Sequence, residues 1–237
     1  MARVSGLAQV TGEKIRDAAT LILIDRDGGS LKLLMGRRHA GHKFMPGKFV
    51  FPGGAVDPED RRMAVAGALE EAVAGKLLTK TRRTSQDYAR ALALAAIRET
   101  FEETGLALGV TDHGRPPDPP AGVWARFAAT GVFPTLEGLD FLARAITPPG
   151  RPRRFDARFF VADAAWIAHR GEGMVHAQAE LTELVWVGLD EALKLEIPNI
   201  TRQILGDLAA LGPGPWDRAR ARPFYRMVRG KHEVEAI

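Results

Sequence analysis

Arg98-Glu99-Thr100-Phe101-Glu102-Glu103-Thr104-Gly105-Leu106 is the stretch around which the chain is organised, and Phe51-Pro52-Gly53-Gly54 stands upstream of it. In a helix, Glu99, Glu102 and Glu103 fall at i, i+3 and i+4, so their carboxylates share one face. Leu94, Ile97 and Phe101 fall nearly opposite. One face therefore packs against a sheet while the other gathers three negative charges. Such carboxylates repel one another unless a cation sits among them, and hard oxygen ligands select Mg²⁺ or Mn²⁺. Arg98, one turn before Glu102, orients a carboxylate through a charge-assisted hydrogen bond. The helix is expected over Gln86 to Thr104, with Thr84 or Ser85 as N-cap and Gly105 as a left-handed C-cap. Without the glycine pair upstream, the same three acids would read as a solvated face. Two adjacent glycines let the backbone come close to a ligand or metal.

Arg98, Glu99, Glu102, Glu103, Gly105 and Leu106 resemble the Nudix box, in which a glycine and a spaced acidic residue precede R-E-U-x-E-E-x-G-U, with U apolar. Thr100 occupies one U slot and Phe101 follows it. The spacing departs from the usual pattern: Gly54 leads to Asp60 where glutamate is common, and 37 residues instead of seven separate Asp60 from Arg98. That long insertion resembles the peroxisomal-type coenzyme A diphosphatase branch. Leu33, Leu34, Arg37 and the run from Gly47 to Gly54 also fall in register with the CoA signature found beside the box. Lys43 stands at its later basic place, Met35 replaces its threonine and Arg38 its small residue.

The resemblance implies a Nudix-like α/β/α sandwich with a mixed sheet, a helical insertion over 58–84 and a helical C-terminal extension over 199–237. It implies Mg²⁺ or Mn²⁺ held by Gly53, Glu99, Glu102 and Glu103, and catalysis by Arg98, Glu99, Glu102 and Glu180. Any of Glu99, Glu102 and Glu180 is a candidate to take the proton of the attacking water. Glu180 is the first choice for the acid that precedes an E-x-x-W-V strand, and Glu183 the second. Arg37, Arg38, Lys43 and Gly54, with Arg153, Arg154 and Arg158, would bind substrate. The implied reaction is hydrolysis of a diphosphate in a nucleoside-diphosphate derivative. CoA or acyl-CoA, giving 3′,5′-ADP and (acyl-)phosphopantetheine, ranks first. An ADP-ribose, dinucleotide or nucleotide-sugar pyrophosphatase ranks next, and a nucleotide-sensing module without turnover last.

Composition narrows the field. With 237 residues the chain suits one sizeable domain. Lys and Arg number 33 against 29 Asp and Glu, an excess that suits a small polyanion and is too slight to argue for nucleic acid. The absence of cysteine excludes disulfides, thiol catalysis and cysteine zinc sites. The six histidines lack the pair spacing of a metal site. No apolar run is long enough to span a bilayer, and Met1 to Arg16 does not read as a secretion signal, so the expectation is a cytoplasmic protein away from membranes.

Along the chain, Ala18–Ile24 and Leu31–Met35 read as a hairpin turning at Asp27-Gly28-Gly29. Lys48–Phe51 reads as a brief strand. Within the insertion, Met63–Val73 is helix-compatible, and Glu70 and Glu71 read as a solvated pair. Ala121–Thr130 is a short helix, Leu139–Ile146 either an amphipathic segment or a strand, and Phe159–Ala162 a core strand. Ala179–Val187 alternates with period two. Thr201–Leu211 is an amphipathic helix ending at Gly212. The basic tail from Trp216 to Lys231 fits contacts either with phosphate or with a second copy in a homodimer.

Overall fold

The computed structural model describes residues 14–26, 30–42, 45–212, 214 and 216–237. Lys43 and the turn expected at Asp27-Gly28-Gly29 lie outside them. The element order is β1 (Arg16–Asp25), β2 (Lys32–Arg38), β3 (Phe49–Val50), β4 (Gly53–Ala55), a 3-10 turn (Pro58–Arg61), α1 (Glu71–Leu78), α2 (Gln86–Thr104) and β5 (Leu106–Leu108). There follow α3 (Val123–Ala129), β6 (Asp140–Ile146), β7 (Phe155–Asp163), a second 3-10 turn (Ala164–Trp166), β8 (Ile167–Arg170) and β9 (Leu181–Gly188). The chain closes with α4 (Leu189–Ala192), α5 (Asn199–Leu211), β10 (Pro223–Val228) and β11 (Lys231–Ala236).

Alternation along β1 divides the interior. Ala19, Leu21 and Leu23 join a core with α1, α2 and α3, while Ile22 and Ile24 join another with α4 and α5. The result is a mixed sheet between two helical layers. Its strand order is β11-β10-β6-β7-β1-β2-β3, with β9 beside β2. The pairs β1–β7 and β10–β6 are parallel. On its other edge β1 is shared: Ile24 pairs with Leu33 of β2, whereas Ala19 pairs with Gly54 of β4. In β6 the register shifts between Phe141 and Ala143, which is why the consecutive Leu142 and Ala143 both reach the second core.

Helix α2 matches its expected bounds. Ser85 Oγ accepts from the Tyr88 amide, and Gly105 caps with φ of 77°. It is more enclosed than an amphipathic reading requires, because its alanines let the sheet and the other helices approach from several sides. The insertion differs from expectation. Helix α1 begins at Glu71, and the preceding residues are tied to another segment, Ala66 N to Pro134 O (2.9 Å) and Leu136 N to Gly67 O (3.1 Å). Glu70 and Glu71 are exposed as expected.

The C-terminal extension is helical only to Leu211. From Pro223 the chain forms a β10–β11 hairpin at the sheet edge, turning on Arg229 (φ 49°) and Gly230 (φ 79°). Both central residues at positive φ give the turn a twist that matches paired strands. Three of the tail's basic residues fold inward: Arg218 pairs with Glu70 and Asp140, Arg226 with Glu235, and Arg222 is buried on backbone carbonyls, while Arg220, Arg229 and Lys231 are exposed.

Arg158 corrects another expectation. Its side chain is fully enclosed, with Nη1 on Asp17 (3.1 Å) and Asp156 (3.0 Å) and Nη2 on the Tyr88 hydroxyl (3.1 Å). It is a buried cation holding β7 to β1 and the start of α2, with no exposed surface to offer a ligand. Arg158→Ala takes a buried cation from Asp17 and Asp156, leaving them Arg83 with the Tyr88 hydroxyl and Arg144 respectively, and is expected to cost about 3 kcal/mol, the low end for a broken buried pair. A urea midpoint unchanged from the parent would show that the guanidinium carries no such role.

Candidate active site

The last turns of α2 meet the Gly53-Gly54 corner because β4 lies on the edge of β1 that faces this helix. Contact is close enough to demand glycine. A Cβ on Gly53 would stand 2.6 Å from the Ala19 carbonyl oxygen, and one on Gly54 would stand 2.5 Å from the Glu99 carboxylate. The first clash is with fixed backbone. The second is with a side-chain end that could only yield by leaving its position.

Beneath this corner lies a buried ion pair. Asp60 is wholly buried and accepts from Arg98 Nε (2.7 Å), Arg98 Nη2 (3.1 Å), Trp124 Nε1 (3.0 Å) and its own turn's Asp57 amide (2.8 Å). Arg98 also donates to the Ala55 carbonyl (2.9 Å) and to Glu99 Oε1 (2.8 Å), with Glu102 Oε2 at 3.5 Å. Burial opposes the charge on Arg98, but Asp60 and Glu99 outweigh it and hold the guanidinium protonated. Thus Asp60 acts on the carboxylates through Arg98 despite the insertion between them.

The three acids of the helix face differ in setting. Glu103 is only 6% exposed and takes a single 3.3 Å hydrogen bond from the Gly53 amide. Glu99 is half-buried and turned toward Arg98. Glu102, its side chain 43% exposed, points outward. They share a face as the spacing requires, but among the described residues no group of three or more acids or histidines is already closed into a metal cage. Burial pushes the Glu103 carboxyl well above the ordinary carboxylate range, and the charges of Glu180 and Glu99 push it further, against the opposing pull of Arg38. Burial raises Glu99 as well; Arg98 lowers it, and Glu102 and Glu180 raise it.

Glu180, just ahead of β9, is therefore drawn into the cluster. Its carboxylate pairs with Arg38, and His42 Nε2 lies 3.7 Å from it. Arg37 and Arg38 part company because successive strand residues face opposite ways. Arg38 turns to Glu180 and Glu103. Arg37 lies over the Phe49 ring (4.5 Å) and pairs with Glu183 (2.9 Å), so neither it nor Glu183 joins the carboxylates. Arg153 is exposed and Arg154 donates to the Thr147 carbonyl (3.0 Å). Both precede β7 at the sheet end where Arg16 pairs with Phe155, three residues along β1 from Ala19. They are not gathered with the helix face.

Sequence reasoning missed Trp124 and His42. For Trp124 no local signal exists, since its indole meets Asp60 only through tertiary packing. Thr100 sits in its apolar slot without penalty because its hydroxyl donates to the Ala96 carbonyl (2.8 Å).

The chain is 31% identical to the Nudix hydrolase from Alicyclobacillus acidocaldarius, covering 84% of this chain and 92% of that one, with a TM-score of 0.64. Similarity extends to the MutT protein from Methanosarcina mazei Go1, at 15% identity over 85% and 98% of the two chains and a TM-score of 0.48. It extends also to the MutT Nudix hydrolase from Burkholderia pseudomallei, at 18% identity, 83% and 99% coverage and 0.47. No family model and no curated protein matches the chain.

Removing the anchor isolates its contribution. Asp60→Ala takes from the buried guanidinium its bidentate partner, leaving Glu99 and the Ala55 carbonyl, and is expected to destabilise by about 3 kcal/mol. Thermal unfolding reads this directly, and a melting temperature equal to the parent's would refute the anchoring role.

Proposed function

The chain belongs to the Nudix hydrolases, enzymes of pyrophosphate hydrolysis, and we propose that it cleaves the diphosphate of a nucleoside-diphosphate derivative with a divalent cation held by Glu99, Glu102, Glu103 and the backbone at Gly53. The observation that carries this reading is Glu103: a nearly buried carboxylate beside Glu99 and Glu180, with one long hydrogen bond. The residues fit a divalent cation. Burial first, and then mutual repulsion among the carboxylates, raises the Glu99 and Glu103 pKa values; these oxygens are the donors an oxygen-ligated cation requires, and its charge acts in the opposite direction. When bound, Mg²⁺ or Mn²⁺ supplies neutralisation of phosphate charge and a lowered pKa for water.

The remaining work belongs to side chains of this protein. Arg98 fixes Glu99 from below. Glu180 is the proton acceptor for water attacking phosphorus, since Glu99, Glu102 and Glu103 are assigned to the cation and Glu180 faces the same cluster from β9's side. Arg38, beside Glu180, stabilises charge on the phosphoryl oxygens. CoA or acyl-CoA is the first-ranked substrate. Its support is the register of Leu33, Leu34, Arg37 and Gly47 to Gly54 with the CoA signature, together with the long insertion. Arg37 lies outside the carboxylate cluster and would serve the 3′-phosphate end of such a ligand.

A panel of CoA, acetyl-CoA, ADP-ribose, NADH and a nucleotide sugar, assayed with Mg²⁺ and Mn²⁺, tests the ranking. The CoA pair is expected to give the highest kcat/KM. Preference for ADP-ribose would replace the substrate and leave the reaction class standing. Glu103→Gln is expected to lower turnover roughly 10²-fold or more. Because the charge removed is already disfavoured by burial, the variant's melting temperature should equal or exceed the parent's. Retained turnover would count against the metal assignment.

A further inference from the structure

We propose that His42 is a positioning residue for the hydrolytic reaction, donating from Nε2 to Glu180 and, opposite Arg38, fixing the carboxylate that accepts the proton from water. This rests on the assignment of Glu180 as that acceptor. Three features carry it. First, the backbone brings the turn that carries His42 to Glu180. The His39 amide donates to the Glu180 carbonyl (3.0 Å), the His42 amide to the His39 carbonyl (3.0 Å), and the Gly41 amide to His39 Nδ1 (3.0 Å). The 39–42 turn is thereby bound to the residue its last side chain faces.

Second, His42 Nε2 stands 3.7 Å from the Glu180 carboxylate, a separation typical of catalytic contacts that tighten when substrate arrives. Third, His42 Nδ1 is buried and has no hydrogen-bond partner, and Arg38 Nε is in the same condition. Buried polar atoms are normally satisfied, so two such atoms on side chains sharing one carboxylate need a reason beyond stability. Among the described residues the other buried side-chain nitrogens without partners are on Arg158, Arg222 and Arg226, none of which pairs with Glu180.

The contact also sets the chemistry of the ring. A carboxylate is an acceptor only, so the nitrogen facing it is the one that donates. Glu180 is half solvent-exposed and repelled by Glu99 and Glu103. Arg38 alone would draw it to one side. A second donor confines both its direction and its distance from the cluster, which is what a proton acceptor for in-line attack needs.

The two amide replacements of histidine separate this role from simple packing. Glutamine places its NH₂ group where Nε2 stands, and asparagine places its NH₂ group nearer Nδ1. His42→Gln is expected to keep most of kcat. His42→Ala and His42→Asn are expected to lose about tenfold, as outer partners of reactive groups commonly do. KM and the melting temperature should stay close to the parent's in all three. Equal activity of the Gln and Asn variants, full activity of the Ala variant, or a change confined to KM would each overturn the proposal. Glu180→Gln is measured beside them. If it is inactive and His42→Ala is not impaired, His42 loses its role and Glu180 keeps its own. If Glu180→Gln retains parental turnover, the acceptor assignment falls and the His42 proposal with it. In the combined His42→Ala, Glu180→Gln variant, kcat should equal that of Glu180→Gln alone, and a further tenfold loss would show that His42 acts independently.

Discussion

The guanidinium of Arg98 joins three segments that are distant in sequence: the 3-10 turn through Asp60, the glycine corner through the Ala55 carbonyl, and its own helix through Glu99. Almost none of it reaches water. Its donors are spent in a fixed planar fork, which lysine could not reproduce. A buried cation of this kind contributes little net attraction beyond its desolvation cost, yet loss of one partner is expensive. The acid cluster above it is therefore not adjustable one residue at a time. Moving Glu99 disturbs Arg98, and moving Arg98 unpairs Asp60.

Above that anchor the electrostatics reverse. Below, each charge has a partner and each lone pair of Asp60 has a donor. Above, burial and then the neighbouring carboxylates raise the proton affinity of Glu99 and Glu103, with Arg98 opposing at the first and Arg38 at the second. Stability is sacrificed in one small region and supplied next to it. Such a conflict between local energetics and fold is where function is expected to reside. Nearby, Gly54 leaves no room for even a methyl group against Glu99. A fully satisfied foundation and an unsatisfied surface thus meet within one helical turn.

Local features were legible in the sequence. The i, i+3, i+4 spacing placed Glu99, Glu102 and Glu103, Gly105 marked the helix end, an apolar run marked β1 and alternation marked β9. What depends on distant partners was not. Arg158 looks identical in sequence to a solvent-facing basic residue, and only Asp17, Asp156 and Tyr88 together make it a core cation. The β10–β11 hairpin was hidden because Arg229 occupies a positive-φ position where asparagine or aspartate is the usual signal. Met63–Ala66 reads as helix by propensity, but its backbone bonds to Pro134 and its neighbours instead. Arg37 and Arg38 could be counted as one basic pair until the strand set them on opposite sides.

The 37 residues between Asp60 and Arg98 have a thermodynamic reading of their own. Closing a loop costs entropy that grows only with the logarithm of its length, so passing from seven residues to 37 adds about 1.5 kcal/mol. Met63, Val73 and Leu77 are buried against α2 from within that loop, and each such burial returns roughly as much as the added closure requires. Length at this point is therefore nearly neutral to folding. The two ends that matter are clamped to each other by charge, and the exposed part of the chain that precedes α2 is free to diverge into new surfaces while the chemistry beside it stays in place.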